Sequence, residues 1–305
     1  MNTIFEKISN IGIIPVIAIE DVEKAVPLAK ALVDGGIPCA EVTFRTSAGE
    51  AAMRRIADAF PEVLLGAGTV LNTKQVDSAI DAGAKFIVSP GFNPKVVDYC
   101  IERGITVIPG CVTPGEIEQA IEKKLEVVKF FPAEQSGGTE YIQAVSAPYQ
   151  SMHFIPTGGI NINNIERYLH TKNVIACGGS WMVKKELIAE SNFDKMTVLC
   201  QEAMRRVLNF KLKSICIHNH DEQEAQKAAK LCNLMFGAVL DEGHVIATKE
   251  NEKMKTNCIR IGVSDVARGR TYLANKGFHF DEREAKEFVF LKEKLFGFFI
   301  QLIQN

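Results

Sequence analysis

Short apolar runs alternate with amphipathic stretches along most of the chain. Each run is bounded by Gly or Pro, which is typical of buried strands, and the stretches between them have helical spacing and mostly end in Gly. Eight alternations in about 200 residues favour a (β/α)8 TIM barrel, and a doubly wound open sheet is the alternative. We predict strands at 13–19, 39–45, 63–69, 86–91, 106–111, 127–132, 153–159 and 174–179, and helices at 21–35, 48–60, 72–83, 94–104 and 114–124.

The pattern changes near Leu212, after a polar amphipathic segment. Strand, helix and strands follow twice over, which indicates a smaller α+β domain with an internal duplication. We therefore predict two domains, a barrel at 1–210 and an accessory domain at 211–305. In the second, we predict strands at 214–219, 258–263, 287–291 and 297–303, two short strands within 236–248, and helices at 221–235 and 266–276.

Composition narrows the class of protein. The chain has 305 residues, 47% of them hydrophobic, a net charge of -2 and no basic run, which argues against nucleic acid or an anionic membrane as a partner. No apolar stretch reaches the ~20 residues of a membrane span, and the N-terminus lacks a signal-peptide pattern, so we expect a cytoplasmic protein. Eight scattered cysteines without paired spacing predict reduced thiols rather than disulfides or a zinc site.

Lys129 stands alone as a cation in the apolar run 126–132. A buried lysine is rare without a partner or a purpose, and burial favours its neutral, nucleophilic amine. Such an amine can form a Schiff base with a carbonyl substrate. The alternative is a structural lysine at a strand end whose head reaches water.

Other polar residues fall at the ends of the same predicted strands. A period of two puts Glu41, Thr43 and Arg45 on one face of the second strand, which is the interior of a barrel. We expect this carboxylate and guanidinium to converge with Lys129 at the carboxyl ends of the strands, where barrels have their active sites. A purely structural ion pair is the alternative.

Two glycine pairs follow the seventh and eighth strands. Thr157-Gly158-Gly159 and Gly178-Gly179-Ser180 would expose backbone N–H groups to a phosphate, with Ser180 at the start of a short helix. The loops after these two strands are the usual phosphate site of the architecture.

Residues 1 to about 205 resemble the 2-keto-3-deoxy-6-phosphogluconate (KDPG) and 4-hydroxy-2-oxoglutarate aldolases. The resemblance implies a metal-independent class I aldolase without a cofactor, usually a homotrimer, which acts on a phosphorylated keto sugar acid and releases pyruvate. The motifs that carry it are Glu41-Val-Thr-Phe-Arg-Thr46, Gly66-Ala-Gly-Thr-Val-Leu-Asn72, Ser89-Pro-Gly91, Pro109-Gly110, Val128-Lys-Phe-Phe-Pro-Ala-Glu134, Pro156-Thr-Gly-Gly-Ile160 and Gly178-Gly-Ser-Trp181.

The same resemblance implies a role for individual residues. Lys129 matches the Schiff-base lysine and Glu41 the general acid/base. Arg45 and Thr69 match the residues that bind the pyruvate carboxylate. The remaining substrate-binding positions are Pro90, Phe131, Thr157, Gly158, Gly159, Gly179 and Ser180, of which the last five fall at the hydroxyl and phosphate end.

Residues 211–305 weakly resemble glyoxalase-like (vicinal oxygen chelate) modules. That family holds a metal with His, Glu or Gln side chains, and the matching positions here are Ser214, Cys258 and Gln301, so the ligand set is mostly lost. His218 and His220 form either a metal-binding pair or a polar strand end. The motifs are Ile259-Arg-Ile-Gly-Val-Ser-Asp265, Leu273-Ala-Asn-Lys-Gly-Phe278 and Gly297-Phe-Phe-Ile-Gln-Leu-Ile303.

Three functions remain open for the whole chain. The favoured one is a phospho-sugar-acid lyase whose accessory domain serves subunit contacts or small-molecule sensing. The others are a bifunctional enzyme with a metal-dependent second domain, and a non-catalytic binding protein on the barrel scaffold. Within the lyase class, the gluconate derivative is favoured over its galactonate epimer and over unphosphorylated 4-hydroxy-2-oxoglutarate.

Overall fold

The computed structural model describes residues 3–218, 223–224, 226–227, 230–231, 245–248, 257–281, 287–295 and 297–305. The chain forms two compact units, Met1–Val207 and Leu208–Asn305. Within the described ranges, no helix has the length and apolar character needed to cross a membrane.

The first unit contains eight short, buried strands, one inside each predicted run. Most runs extend beyond their strand at its carboxyl end, and the extra residues begin the loop that follows. The strands are β1 Ile13–Ile17, β2 Cys39–Thr43, β3 Leu64–Gly68, β4 Phe86–Val88, β5 Thr106–Ile108, β6 Val127–Phe130, β7 His153–Pro156 and β8 Cys177–Gly179.

These strands close into a parallel ring. Six of them pair in the order β5-β4-β3-β2-β1-β8, and β6 pairs with β7. Lys129 donates its backbone N–H to Pro109 O (2.9 Å) and accepts from Cys111 N–H (2.8 Å), which joins β5 to β6. A bridge between Thr157 and Gly178 joins β7 to β8. The ring confirms the (β/α)8 barrel and excludes the open sheet, which would leave two free edges.

Helices follow the strands as the pattern predicts, although the segment 21–35 begins with a 3-10 turn, Val22–Lys24. Local polar residues set several helix starts: Asn72 accepts the Gln75 N–H (3.0 Å), and Thr113 forms a capping box with Glu116. The helices are α1 Thr3–Ile11, α2 Ala25–Asp34, α3 Gly49–Ala59, α4 Thr73–Asp81, α5 Pro94–Glu102, α6 Pro114–Glu122, α7 Gly138–Ser146, α8 Ile165–Leu169, α9 Lys185–Ala189 and α10 Phe193–Leu208.

The described residues of the second unit form a mixed five-stranded sheet with a helix, the α+β arrangement that was predicted. Its strand order is β10-β9-β11-β13-β12, with β9 parallel to β10 and β11 parallel to β13. The elements are β9 Lys211–His218, β10 Val245–Thr248, β11 Cys258–Val263, the helix Val266–Ala274, β12 Phe288–Leu295 and β13 Phe298–Gln304. Of the predicted helix 221–235, the described residues at 223–224, 226–227 and 230–231 are helical.

The two faces of this sheet differ in character. One face packs an apolar cluster around Val263, Val289 and Leu302, with Leu273 from the helix against it. Ser214, Cys258 and Gln301 are also buried, although polar. The side chain of His218 and all of His220 lie outside the described part of the chain, so the metal-pair hypothesis is untested there. The internal duplication and the glyoxalase-like relationship stay predictions.

Candidate active site

Lys129 and Glu41 meet inside the barrel. Lys129 lies in β6 and Glu41 in β2, and their side chains approach to 3.3 Å between Nζ and Oε1. Only 6% of Lys129 and 3% of Glu41 is exposed. Because both side chains are buried, each charge is stabilised by the opposite charge of its partner. The contact also allows a proton to pass between the amine and the carboxylate.

Gly68 at the end of β3 makes room for this pair. A Cβ atom at residue 68 would lie 2.3 Å from Glu41 Oε1, so any side chain there would displace the carboxylate. The following residue, Thr69, has φ 58°, which is a strained conformation for a β-branched residue. Gly68 therefore leaves space for the Glu41 carboxylate, and the next residue has a strained backbone.

Phe131 borders the amine on the solvent side. Its ring lies 5.4 Å from Lys129 Nζ, within the range of a cation–π contact, and 38% of the residue is exposed. The ring therefore lies beside the predicted nucleophile, and the substrate-binding role of Phe131 stays a prediction.

Arg45 extends from the Glu41 strand toward solvent. Thr43 donates its hydroxyl to Ile17 O (2.8 Å), and Arg45 Nε donates to the same Thr43 oxygen (3.2 Å). The guanidinium is thus tied to the barrel by its Nε, which leaves the terminal nitrogens to contact a ligand.

A cavity of about 510 Å³ opens beside Arg45 at the carboxyl ends of the strands. Arg45, Lys184 and Lys185 supply positive charge to its lining, against one carboxylate from Glu186. The cavity is therefore suited to an anionic ligand. Its full lining is Val16, Ala18, Arg45, Gly159, Ile160, Asn161, Ser180, Trp181, Val183, Lys184, Lys185 and Glu186.

The Thr157-Gly158-Gly159 loop follows β7 at the same carboxyl end of the barrel. Thr157 is buried, and its Oγ1 has no hydrogen-bond partner among the described atoms. A Cβ atom at Gly178 would lie 2.3 Å from that oxygen. Gly158 and Gly159 have φ of 100° and 79°, which favour glycine. An unpaired buried hydroxyl is costly, so a ligand group is its natural partner.

The structure corrects the expectation that Ser180 starts a helix. Residues 180–183 form a turn in which Val183 N–H donates to Ser180 O (3.1 Å), and α9 begins only at Lys185. Ser180 still lines the cavity. Trp181 packs over Gly179, where a Cβ atom would lie 2.0 Å from the indole, so a side chain at residue 179 would displace the ring.

Thr69, Pro90 and Gly179 lie at the same end of the barrel without a described hydrogen bond to Lys129. They follow β3, follow β4 and end β8, respectively. The carbonyl of Pro90 approaches the position of a Cβ at Gly110 to 2.0 Å, so Gly110 allows the two loops to pack closely. Thr69, Pro90 and Gly179 lie at the rim of the barrel around the predicted site, and their substrate-binding roles stay predictions.

Glu134 is a residue that the sequence reasoning missed. Its backbone N–H donates to Gly158 O (3.1 Å), and its carboxylate accepts from Arg167 (3.2 Å) and from the Tyr168 hydroxyl. Burial, followed by the hydrogen bond to Glu134, raises the pKa of Tyr168. Glu134 thus braces the glycine loop. Its position in the motif Val128-Lys-Phe-Phe-Pro-Ala-Glu134, five residues after Lys129, was the sequence feature that could have identified it.

Metal ligands are a separate question. Over the described ranges, no three His, Cys, Asp or Glu side chains are grouped closely enough to hold a metal ion.

Comparison with known proteins gives one consistent family. Residues 4–199 match the model of the KDPG and KHG aldolases. A 2-dehydro-3-deoxy-phosphogluconate aldolase from Treponema pallidum is 50% identical over 207 residues, 68% of this chain and 99% of the relative. A KHG/KDPG aldolase from Escherichia coli K12 is 42% identical over 192 residues, 63% of this chain and 90% of the relative.

A crystal structure of the KDPG aldolase from Legionella pneumophila resembles this chain as well. It covers 66% of this chain and 98% of its own, with 37% identity and a TM-score of 0.64. In that crystal, pyruvate is captured as a covalent carbinolamine intermediate.

Proposed function

The chain belongs to the KDPG and KHG aldolase family, and we propose that it is a class I aldolase that cleaves 2-keto-3-deoxy-6-phosphogluconate to pyruvate and glyceraldehyde 3-phosphate. The observation that carries the proposal is the buried contact of 3.3 Å between Lys129 Nζ and Glu41 Oε1. It combines a nucleophile for the ketone with a base for the hydroxyl. Cleavage of 4-hydroxy-2-oxoglutarate to pyruvate and glyoxylate follows the same chemistry.

Imine formation is the first half of the reaction. The neutral amine of Lys129 attacks C2 of the ketone, and Glu41 transfers a proton so that the hydroxyl of the carbinolamine leaves as water. The product is a cationic iminium on Lys129. Phe131 lies beside it and keeps bulk water away from the imine until cleavage is complete.

Carbon–carbon cleavage is the second half. Glu41 accepts the proton of the C4 hydroxyl, the C3–C4 bond breaks, and its electrons move into the iminium to give an enamine. The aldehyde leaves. The enamine is then protonated at C3, and water hydrolyses the iminium to release pyruvate and the free amine.

Substrate orientation depends on residues around this pair. Arg45 binds the pyruvate carboxylate through its terminal nitrogens, which fixes C2 against the amine, and Thr69 assists at the rim. Thr157 binds a hydroxyl of the sugar acid, in agreement with its unpaired oxygen. The positively charged cavity with Gly159 and Ser180 takes the phosphate end, supported by Gly158 and Gly179.

A coupled assay tests the proposal. Pyruvate release from KDPG, from its galactonate epimer and from 4-hydroxy-2-oxoglutarate is followed with lactate dehydrogenase and NADH after EDTA treatment. We expect a larger kcat/KM for the two phosphorylated compounds than for 4-hydroxy-2-oxoglutarate, because only they carry a phosphate for the part of the cavity that Lys184 and Lys185 line. Of the two epimers, we expect the gluconate compound to be preferred. Absence of pyruvate release from all three would refute the proposal.

Assembly and location are further proposals, the homotrimer from the family resemblance and the cytoplasmic location from the hydropathy pattern. A homotrimer in the cytoplasm is the expected state, and light scattering of the purified chain together with cell fractionation tests both points. A mass that fits a monomer would contradict the trimer.

A further inference from the structure

Two cysteines face each other across neighbouring antiparallel strands of the second unit. Cys216 in β9 is the register partner of Cys258 in β11, and both are buried. Directly opposite residues in an antiparallel pair have their Cα atoms about 4.5 or 5.5 Å apart and their side chains on the same face. Disulfides span Cα distances of about 4.4–6.8 Å, so strand pairing alone presents these thiols at bridging distance.

The surroundings of this pair are polar. Ser214 Oγ lies 3.9 Å from Cys216 Sγ on the same face of β9. Arg260, two residues after Cys258, donates from Nε to Gln301 Oε1 (3.0 Å), which holds its guanidinium over this face of the sheet. Both thiols are buried, and the nearby hydroxyl and fixed cation give them the electropositive surroundings of a reactive cysteine.

The two thiols also differ in acidity. The hydrogen bond from Cys258 lowers the pKa of Cys216 to about 6, against the opposing effect of burial and with further help from Arg260. The same hydrogen bond, followed by burial, raises the pKa of Cys258. Cys100, Cys111 and Cys200 in the barrel contrast with Cys216, because burial raises each of their pKa values to about 12.

We propose that Cys216 and Cys258 form a reversible dithiol–disulfide site that reacts with hydrogen peroxide. Because the pair is buried, a small neutral oxidant reaches it more readily than a bulky disulfide does. Nothing in the expected aldolase reaction uses these residues, so this site is a second chemical function of the chain.

The chemistry proceeds in two balanced steps. The Cys216 thiolate attacks one peroxide oxygen, the O–O bond breaks, and with one proton taken up the products are Cys216 sulfenic acid and water. Cys258 then attacks the sulfenic sulfur, and a second water leaves as the S–S bond forms. Two thiols are oxidised by two electrons and one peroxide is reduced to two waters. A dithiol reductant reverses the result by thiol–disulfide exchange.

The test is a thiol map of the full-length protein. Reduced protein is treated with hydrogen peroxide, denatured, alkylated and digested without reductant, and the peptides are identified by mass. We expect two of the eight thiols to disappear, six to remain alkylated, and a cross-linked peptide to join Cys216 to Cys258. Dithiothreitol should restore all eight.

Variants separate the site from general thiol oxidation. Cys216→Ser should abolish the cross-link and leave Cys258 as a thiol, whereas Cys200→Ser in the barrel should leave the cross-link intact. The wild-type map does not depend on whether either variant folds. Retention of all eight thiols, a cross-link that involves Cys232, or sulfinic acid on Cys216 with Cys258 still free would each overturn the proposal.

Discussion

The barrel and the C-terminal sheet both bury polar side chains, but they arrange them differently. In the barrel, Glu41 and Lys129 are 88 residues apart in sequence and meet inside a closed ring. In the second unit, Ser214, Cys258 and Gln301 are spread over three strands of an open sheet. Closure accounts for the difference, because a ring directs inward-facing residues of every strand to one axis.

The comparison bears on how a site is found. In a barrel, inward-facing polar residues near the carboxyl ends of the strands all lie around the same opening. A residue's position along its strand therefore predicts which residues it neighbours. On an open sheet, neighbours depend on strand order and register. The sheet order β10-β9-β11-β13-β12 is not the chain order, so sequence position alone does not reveal that Cys216 faces Cys258.

Removal of the central amine should have the largest effect. Lys129→Ala is expected to lower kcat by at least about 10⁴-fold, since no other group supplies the covalent step. Pyruvate release from KDPG measures it, and Lys95→Ala, an exposed lysine on α5, is the matched control. Near wild-type turnover of Lys129→Ala would show that Lys129 is not the nucleophile. The contrast between a catalytic pair in the barrel and buried polar residues in the second unit would then be wrong.

Glu41→Gln tests the other half of the pair. We expect kcat to fall by about 10²–10⁴-fold, because the amide keeps the volume beside Gly68 but cannot accept a proton. Pyruvate release from KDPG measures the change. Turnover of Glu41→Gln close to that of the wild type would exclude Glu41 as the base.

Arg45→Ala should act on binding more than on turnover. Loss of a charged hydrogen-bond donor predicts a rise in KM of about 10- to 100-fold with a smaller change in kcat. Arg205→Ala, exposed in the last turn of α10, serves as control. An Arg45→Ala enzyme with unchanged KM for KDPG would remove the carboxylate-binding role.

Much of the barrel and its central pair follows from the sequence. The eight apolar runs fix the strand count, the isolated lysine identifies Lys129, and the period of two identifies Glu41. The helix start predicted at Ser180 was wrong because a Gly-Gly-Ser sequence does not show where the next helix begins. Glu134 was missed because its partners, Arg167 and Tyr168, come from a distant helix.

The second unit was predictable only at the level of its elements. Alternating apolar residues locate β11 and β13, since one face packs the cluster around Val263 and Leu302. The opposite face gives no such signal. The sequence shows which polar residues the strands contain. It does not show which of them lie opposite each other, because that depends on the register between strands.

Gln301→Ala should have the smallest effect on aldolase activity, with kcat/KM within about twofold of wild type, because it lies outside the barrel. Its effect should be local. Arg260 loses one hydrogen bond, which is worth about 1.5–3 kcal/mol for a charged donor, so peptides from β11 and β13 should exchange hydrogen faster. Unchanged exchange there would contradict the stabilising role of the Arg260–Gln301 hydrogen bond. A large loss of activity would contradict the independence of the two sites.

Borohydride trapping with pyruvate tests the central claim most directly. The full-length protein is treated with EDTA, incubated with pyruvate and borohydride, digested and mapped by mass, with Lys129→Ala as the reference. The account predicts one reduced pyruvyl adduct, on the peptide that contains Lys129, and none in the variant. An adduct on another lysine, or no adduct on a folded protein, would contradict it.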